Sequence, residues 1–137
     1  MQNLIKLILN SKWLLLLAVL LTILIIYLSI SDISNFPELE MKHEDKYYHV
    51  VAYFFLNLMW LFSVIPYKLE STGQFLLISS SIIVFGIVIE VIQESITDYR
   101  VFDIFDILAN SIGVTASFIC FMFVKKKFFK NINSNSK

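Results

Sequence analysis

The chain has 137 residues, 58% of them hydrophobic and 16% charged, with a mean hydropathy of +0.75. Soluble globular domains carry about 45–50% apolar and about 25% charged residues, so this composition excludes an ordinary soluble domain. A formal net charge of zero supplies no field that would draw the chain to nucleic acid, and three Gly with two Pro exclude collagen, linker-rich and turn-rich β architectures.

A transmembrane helix needs about 20 apolar residues to cover about 30 Å of hydrocarbon. Residues 1–12 are expected to form a cytoplasmic N-terminal segment carrying Lys6 and Lys12. The first apolar run, residues 13–30, holds no charge. It is longer than the apolar part of a signal peptide and lacks a small-x-small cleavage pattern, so it reads as a retained span. Further runs cover residues 47–66, 75–93 and 102–124. Only residues 67–74 separate the second run from the third, which makes the two antiparallel neighbours. The expectation is an all-α membrane bundle of four transmembrane helices over residues 13–124. A basic, Asn/Ser-rich cytoplasmic tail follows over 125–137, read as unstructured after Lys130.

Charge placement orients the bundle. Lys6 and Lys12 precede the first run, and Lys125, Lys126, Lys127 and Lys130 follow the last. Residues 32–46 hold five acids against two lysines, and residues 94–106 hold four acids against one arginine. Cytoplasmic flanks are enriched in Lys and Arg, so both termini are expected in the cytoplasm and the acidic loops outside or in the periplasm. The expected location is the cytoplasmic (inner) membrane, with the lipid bilayer as the first partner. Cys120 stands alone in an apolar stretch, which excludes an intrachain disulfide, a zinc-thiolate cage and a Cys-x-x-Cys pair, and reads as a buried structural thiol.

At about 100° per residue, Asp45, Lys46, His49, Tyr53, Asn57 and Trp60 fall within a sector of about 120° on the second helix. Val50, Val51, Phe54, Leu58, Leu61 and Phe62 fill the rest and suit lipid. On the third helix Glu90, Gln93 and Glu94 share a face with Gly86 and Ser79. On the fourth, Asp103, Asp106, Asn110, Gly113 and Ser117 lie within about 80° of one another. Alternating chain direction puts the polar ends of all three helices at one depth. Glu90 lies inside an apolar run, where a carboxylate costs about 2.5–3.5 kcal/mol near a helix centre. Lys46, Arg100, His49, a metal ion or a proton could compensate it. The structural reading is a lattice of ion pairs that locks the outer end, with Ala109, Gly113 and Ser117 as a packing stripe and Asn57 and Ser79–Ser81 as interhelical ties.

Read in order, the cluster is Asp45-Lys46-x-x-His49 with Tyr53, then Glu90-x-x-Gln93, then Arg100 with Asp103 and Asp106-x-x-x-Asn110-x-x-Gly113. This resembles the VanZ-like family of bacterial integral membrane proteins over residues 42–117. It departs from that pattern at Asp98-Tyr99, where the family often has Pro-Gly, and at Ser117, where it often has a second Gly. The resemblance implies a cell-envelope membrane protein related to low-level teicoplanin resistance, with no generally assigned molecular activity.

Three functions fit these residues. The first is an outward-facing pocket for a lipid-linked envelope precursor or a glycopeptide or lipoglycopeptide headgroup. There Lys46 and Arg100 hold phosphate or carboxylate, Gln93 and Asn110 orient the ligand, and Asp45, Tyr53 and Asp103 complete the lining. The second adds catalysis, with His49 as general base oriented by Asp45 at i−4, Glu90 as acid, and Asp106 beside them. Alternatively His49, Glu90 and Asp106 could hold a divalent metal, the one cofactor the residues admit. The third is a non-enzymatic interaction protein whose cluster braces the helices. Oligomeric state is not legible in the sequence.

Overall fold

The computed structural model describes residues 12–31, 44–67, 71–96 and 102–134. They form four α-helices: α1 (Trp13–Ile30), α2 (Glu44–Ser63), α3 (Thr72–Ile96) and α4 (Ile104–Ser134), with a short 3-10 turn, Ile65–Tyr67, after α2. The architecture is all-helical. Three helices, α1, α3 and the Ile104–Lys127 part of α4, are long and apolar enough to cross a membrane. α1 coincides with the first apolar run, and α3 extends the third by a turn at each end.

The main difference in extent lies in α4, which continues past the expected boundary at residue 124 and through Lys130 to Ser134. Lys and Asn cost only tenths of a kcal/mol in a helix, and extending an existing helix avoids the nucleation cost. The tail therefore carries helix up to residue 134. At 1.5 Å per residue α4 is about 46 Å long, more than the hydrocarbon thickness.

α2 is not among the three helices apolar enough to span, yet it touches all the others. Glu44, Asp45, Lys46 and His49 fill the first turns of α2, yet α2 packs most extensively against α4, and also against α1 and α3. Tyr53, Leu56, Asn57, Leu61 and Ser63 on α2 are buried. The assignment of Leu61 to the lipid side is therefore corrected: it is fully buried with Phe75 and Phe121, and Leu58 and Phe62 pack on the same cluster. α2 has partners on several sides, so its apolar side chains are shared between helices instead of being given to solvent or lipid. α1 is the reverse case, peripheral and apolar all round, with only Ala18 and Ile25 buried.

Side-chain contacts fix the antiparallel order. At one end Gln93 Nε2 on α3 donates to the Ser29 carbonyl on α1 (2.9 Å), beside the starts of α2 and α4. At the other end Phe75 of α3 lies edge-on to Phe121 of α4 (centroids 4.9 Å apart), with Lys125 Nζ 4.3 Å from the Phe75 ring centroid. Between them, α2 and α4 come together at Gly113, where a β-carbon would collide with the Val50 carbonyl oxygen and stand 3.0 Å from the Phe54 nitrogen. The small-residue stripe thus has the packing role expected of it, since Ala109, Gly113 and Ser117 are all buried.

Buried polar ties run along the same seam. Asn57 Nδ2 donates to Ser117 Oγ (2.6 Å) and to the Val114 carbonyl (3.2 Å), as an interhelical tie should. Trp60 Nε1 donates to Thr22 Oγ1 (3.1 Å), linking α2 to α1. Two expectations are corrected. Ser81 is exposed and bonds back to the Leu77 carbonyl of its own helix, so of the Ser79–Ser81 run only Ser79 is buried. Cys120 is exposed on the outer side of α4, because the buried stripe of that helix passes through Ser117 and Phe121.

Candidate functional site

The polar residues of α2, α3 and α4 gather at the end where α2 and α4 begin. Asp103 caps α4: its Oδ1 accepts from the Phe105 backbone N–H at 2.8 Å, satisfying one of the donors that the first helical turn leaves unpaired. Asp106 and Asn110 follow on the same face, one turn apart. From α2, Lys46 reaches across to this helix start. Its ammonium nitrogen lies 2.6 Å from Asp45 Oδ2, 2.5 Å from Asp103 Oδ2 and 2.6 Å from Asp106 Oδ1. The contacts with Asp45 and Asp103 are hydrogen bonds, and the contact with Asp106 is an ion pair. The Lys46 bond, with the Phe105 N–H, holds the Asp103 carboxyl below its ordinary value of 3.8.

His49 lies one turn deeper. Its Nδ1–H donates to Asn110 Oδ1 (3.0 Å), and its Nε2 faces Asp106 Oδ2 at 3.7 Å. The expected orienting partner, Asp45 at i−4, is turned to Lys46 instead, so Asn110 positions the ring. A helical i−4 neighbour competes poorly with a group delivered from a facing helix when a cation stands beside it. The His49 ring stacks on Tyr53 (centroids 6.5 Å apart, planes 22° from parallel), and Tyr53 is buried to 2% exposure. Tyr53 in turn sits against Gly86 of α3, where a β-carbon would come within 2.9 Å of its ring.

Glu90, one turn beyond Gly86, is buried at 3% exposure. His49, Glu90 and Asp106 each offer one ligand atom, and those atoms lie within 4.8 Å of one another. Asp45, Asp103 and Asp106 form a second such group, with the Lys46 ammonium ion-paired with all three. The structure therefore brings together His49, Glu90, Asp106, Asp45, Lys46, Asp103, Tyr53 and Asn110. Gln93 is buried close by and spends its amide N–H on Ser29. Glu94 is exposed. Arg100 lies outside the described residues, as do residues 32–43 and 97–101 of the two acidic connections.

Chemically the cluster is acid-rich, with Asp45, Glu90, Asp103 and Asp106 against Lys46 among the described residues. An incoming phosphate would have to displace a carboxylate from Lys46 and would meet the others at close range. The geometry favours holding a cation or moving a proton over gripping an anion through Lys46.

Two contacts are not legible in the sequence. Thr22 lies in an uncharged apolar run, and nothing in its neighbours marks it as the acceptor for Trp60. The pairing of Asn57 with Ser117 was prepared by their placement on polar edges, but helical position alone does not pair residues across helices.

Fold and site together define an all-helical protein of membrane type with a cluster of charged side chains at one end of the bundle. Comparison with family models, curated proteins and solved structures finds no match to this chain.

Proposed function

We propose that this is a VanZ-like, four-span protein of the bacterial cytoplasmic membrane. In this reading α2 is the fourth span, both termini are cytoplasmic, and the polar cluster opens to the outer face. There it binds the headgroup of a lipid-linked envelope precursor or of a glycopeptide, and so alters susceptibility to such drugs. The observation that carries the reading is the meeting of His49 from α2, Glu90 from α3 and Asp106 from α4 within one small volume. Ionisable groups at membrane depth are costly and are kept where they bind or transfer something. The lysine distribution supports the orientation. With Lys46 committed to three aspartates, contact with an anionic headgroup falls to Arg100.

The test is glycopeptide and lipoglycopeptide susceptibility of a deletion strain complemented with wild type, His49→Ala or Glu90→Gln at matched membrane abundance. The proposal expects wild type alone to restore tolerance. Equal behaviour of all three at equal abundance removes the pocket from this phenotype.

A second reading has its own support. Lys46 ties the start of α2 to the start of α4, which is what a structural brace does. If the cluster serves only to present the bundle to a partner, exchanging the charges by Lys46→Asp with Asp103→Lys preserves function. A pocket that needs its carboxylates in place does not survive that exchange.

A further inference from the structure

We infer that His49, Glu90 and Asp106 form a three-ligand site for a divalent transition-metal ion, with Asn110 as the residue that orients the imidazole. The inference concerns the pocket discussed above and holds whether or not that pocket governs drug susceptibility.

The geometry starts with the imidazole. Nδ1–H is donated to Asn110 Oδ1, so the neutral ring presents its lone pair at Nε2. That lone pair points toward Asp106 Oδ2, 3.7 Å away. Nε2 and a carboxylate oxygen come together favourably with a proton or a metal ion between them, and a second carboxylate, Glu90, in the same space favours the doubly charged ion. Asp106 divides its two oxygens: Oδ1 is 2.6 Å from the Lys46 ammonium, and Oδ2 faces His49. Glu90 supplies the third ligand atom from α3, and one carboxylate oxygen suffices, which leaves the other for its remaining contacts.

The two acid groups that share Asp106 are thus of different kinds. In the outer one the protein brings its own cation, Lys46. The inner one contains an imidazole, is more deeply buried, and draws its ligands from three separate helices. Ligand atoms about 2.0–2.2 Å from a metal stand about 3–3.5 Å apart around it. The three ligand atoms already lie within 4.8 Å of one another, and an ion between them would draw them closer. Metal-bound histidines regularly donate their second ring nitrogen to a carbonyl or carboxylate, and Asn110 supplies that partner here. One imidazole with two carboxylates suits Mn2+, Fe2+ or Zn2+ over the thiolate-seeking ions. Three protein ligands leave a coordination position open to water or to an oxygen of a bound headgroup, which would give an acid-rich pocket the means to hold an anion.

The experiment uses the full chain in nanodiscs with any polyhistidine tag removed, titrated with Mn2+ and followed by electron paramagnetic resonance, with Zn2+ as competitor. The expected result is one saturable Mn2+ per chain, displaced by Zn2+, with nitrogen coupling from a coordinated imidazole. The sequence holds two histidines, so His43→Ala serves as the control that keeps the coupling. His49→Ala removes the coupling and weakens binding at least 100-fold, and Glu90→Gln weakens it at least 10-fold. The wild-type nitrogen signal with the His43→Ala control decides the matter even if the other variants fail to fold. The inference is overturned by the absence of saturable binding to folded wild type, or by binding without nitrogen coupling. It is equally overturned by a coupling that disappears in His43→Ala. None of these readouts involves drug susceptibility, so the metal site and the envelope role fail separately.

Discussion

Replacing Gly113 by valine is expected to destabilise the bundle by about 3 kcal/mol or more, the upper end of what overpacking costs. A β-carbon at this position meets the Val50 carbonyl oxygen and the Phe54 nitrogen, and backbone cannot rotate away as a side chain can. Relief requires α2 and α4 to separate, which strips the hydrogen bonds of Asn57 to Val114 and Ser117 and pulls Lys46 from Asp103 and Asp106. Gly73 provides the internal control, because a β-carbon there meets nothing within 4 Å. Gly73→Ala should be neutral or slightly stabilising, since alanine is favoured over glycine in a helix by about 1 kcal/mol. Thermal unfolding in detergent measures both. An unchanged melting temperature for Gly113→Val would contradict the close approach.

Lys46→Met has the second largest expected effect, a loss of about 2 kcal/mol. Removing one partner of a fully buried pair typically costs about 3–5 kcal/mol, and here Asp45 and Asp103 retain enough exposure to recover part of their hydration. The sign of the pH dependence identifies the mechanism. In wild type the Asp103 carboxyl is held below 3.8 by Lys46, so its contribution is complete above that value and is lost as pH falls through the lowered one. In Lys46→Met the aspartates repel one another and hold protons more tightly, so the variant gains stability on acidification where wild type loses it. Adding Asp103→Asn and Asp106→Asn to Lys46→Met should recover much of the loss at neutral pH. Unfolding free energies followed across the acid range test this, and parallel pH curves for wild type and Lys46→Met would exclude the ammonium as the brace.

Much of the site was legible because helical geometry is so regular. Residues three and four apart share a face, so Asp106, Asn110, Gly113 and Ser117 could be placed on one edge before any contact was known. The same arithmetic grouped His49 with Tyr53 and Asn57. Which helix supplies whose partner was not legible. His49 had Asp45 available at i−4 and Asn110 across the seam, and only the three-dimensional packing that leaves Asp45 beside Lys46 decides for Asn110. The burial of α2 is only partly legible for a related reason. An apolar face looks alike in sequence whether lipid or protein covers it, so Leu61 and Val51 were indistinguishable, although one is buried and the other exposed. Cys120 shows the converse, since an apolar neighbourhood in sequence does not make an interior position. The end of α4 escaped because the basic and Asn-rich composition of residues 125–134 speaks to solubility, while helix continuation depends on the turns that precede it.

The polar edges of separate helices meet at one end of the bundle, and cysteine cross-linking tests that most directly. In a Cys120→Ser background, His49→Cys with Asn110→Cys places one thiol on α2 and one on α4 at positions bonded in the structure. His49→Cys with Phe123→Cys places the α4 thiol toward the opposite end, on an exposed residue. With a short bifunctional methanethiosulfonate in native membranes, the account predicts efficient intramolecular cross-linking of the first pair and none of the second. No cross-link in the first pair, or equal cross-linking in both, would contradict it.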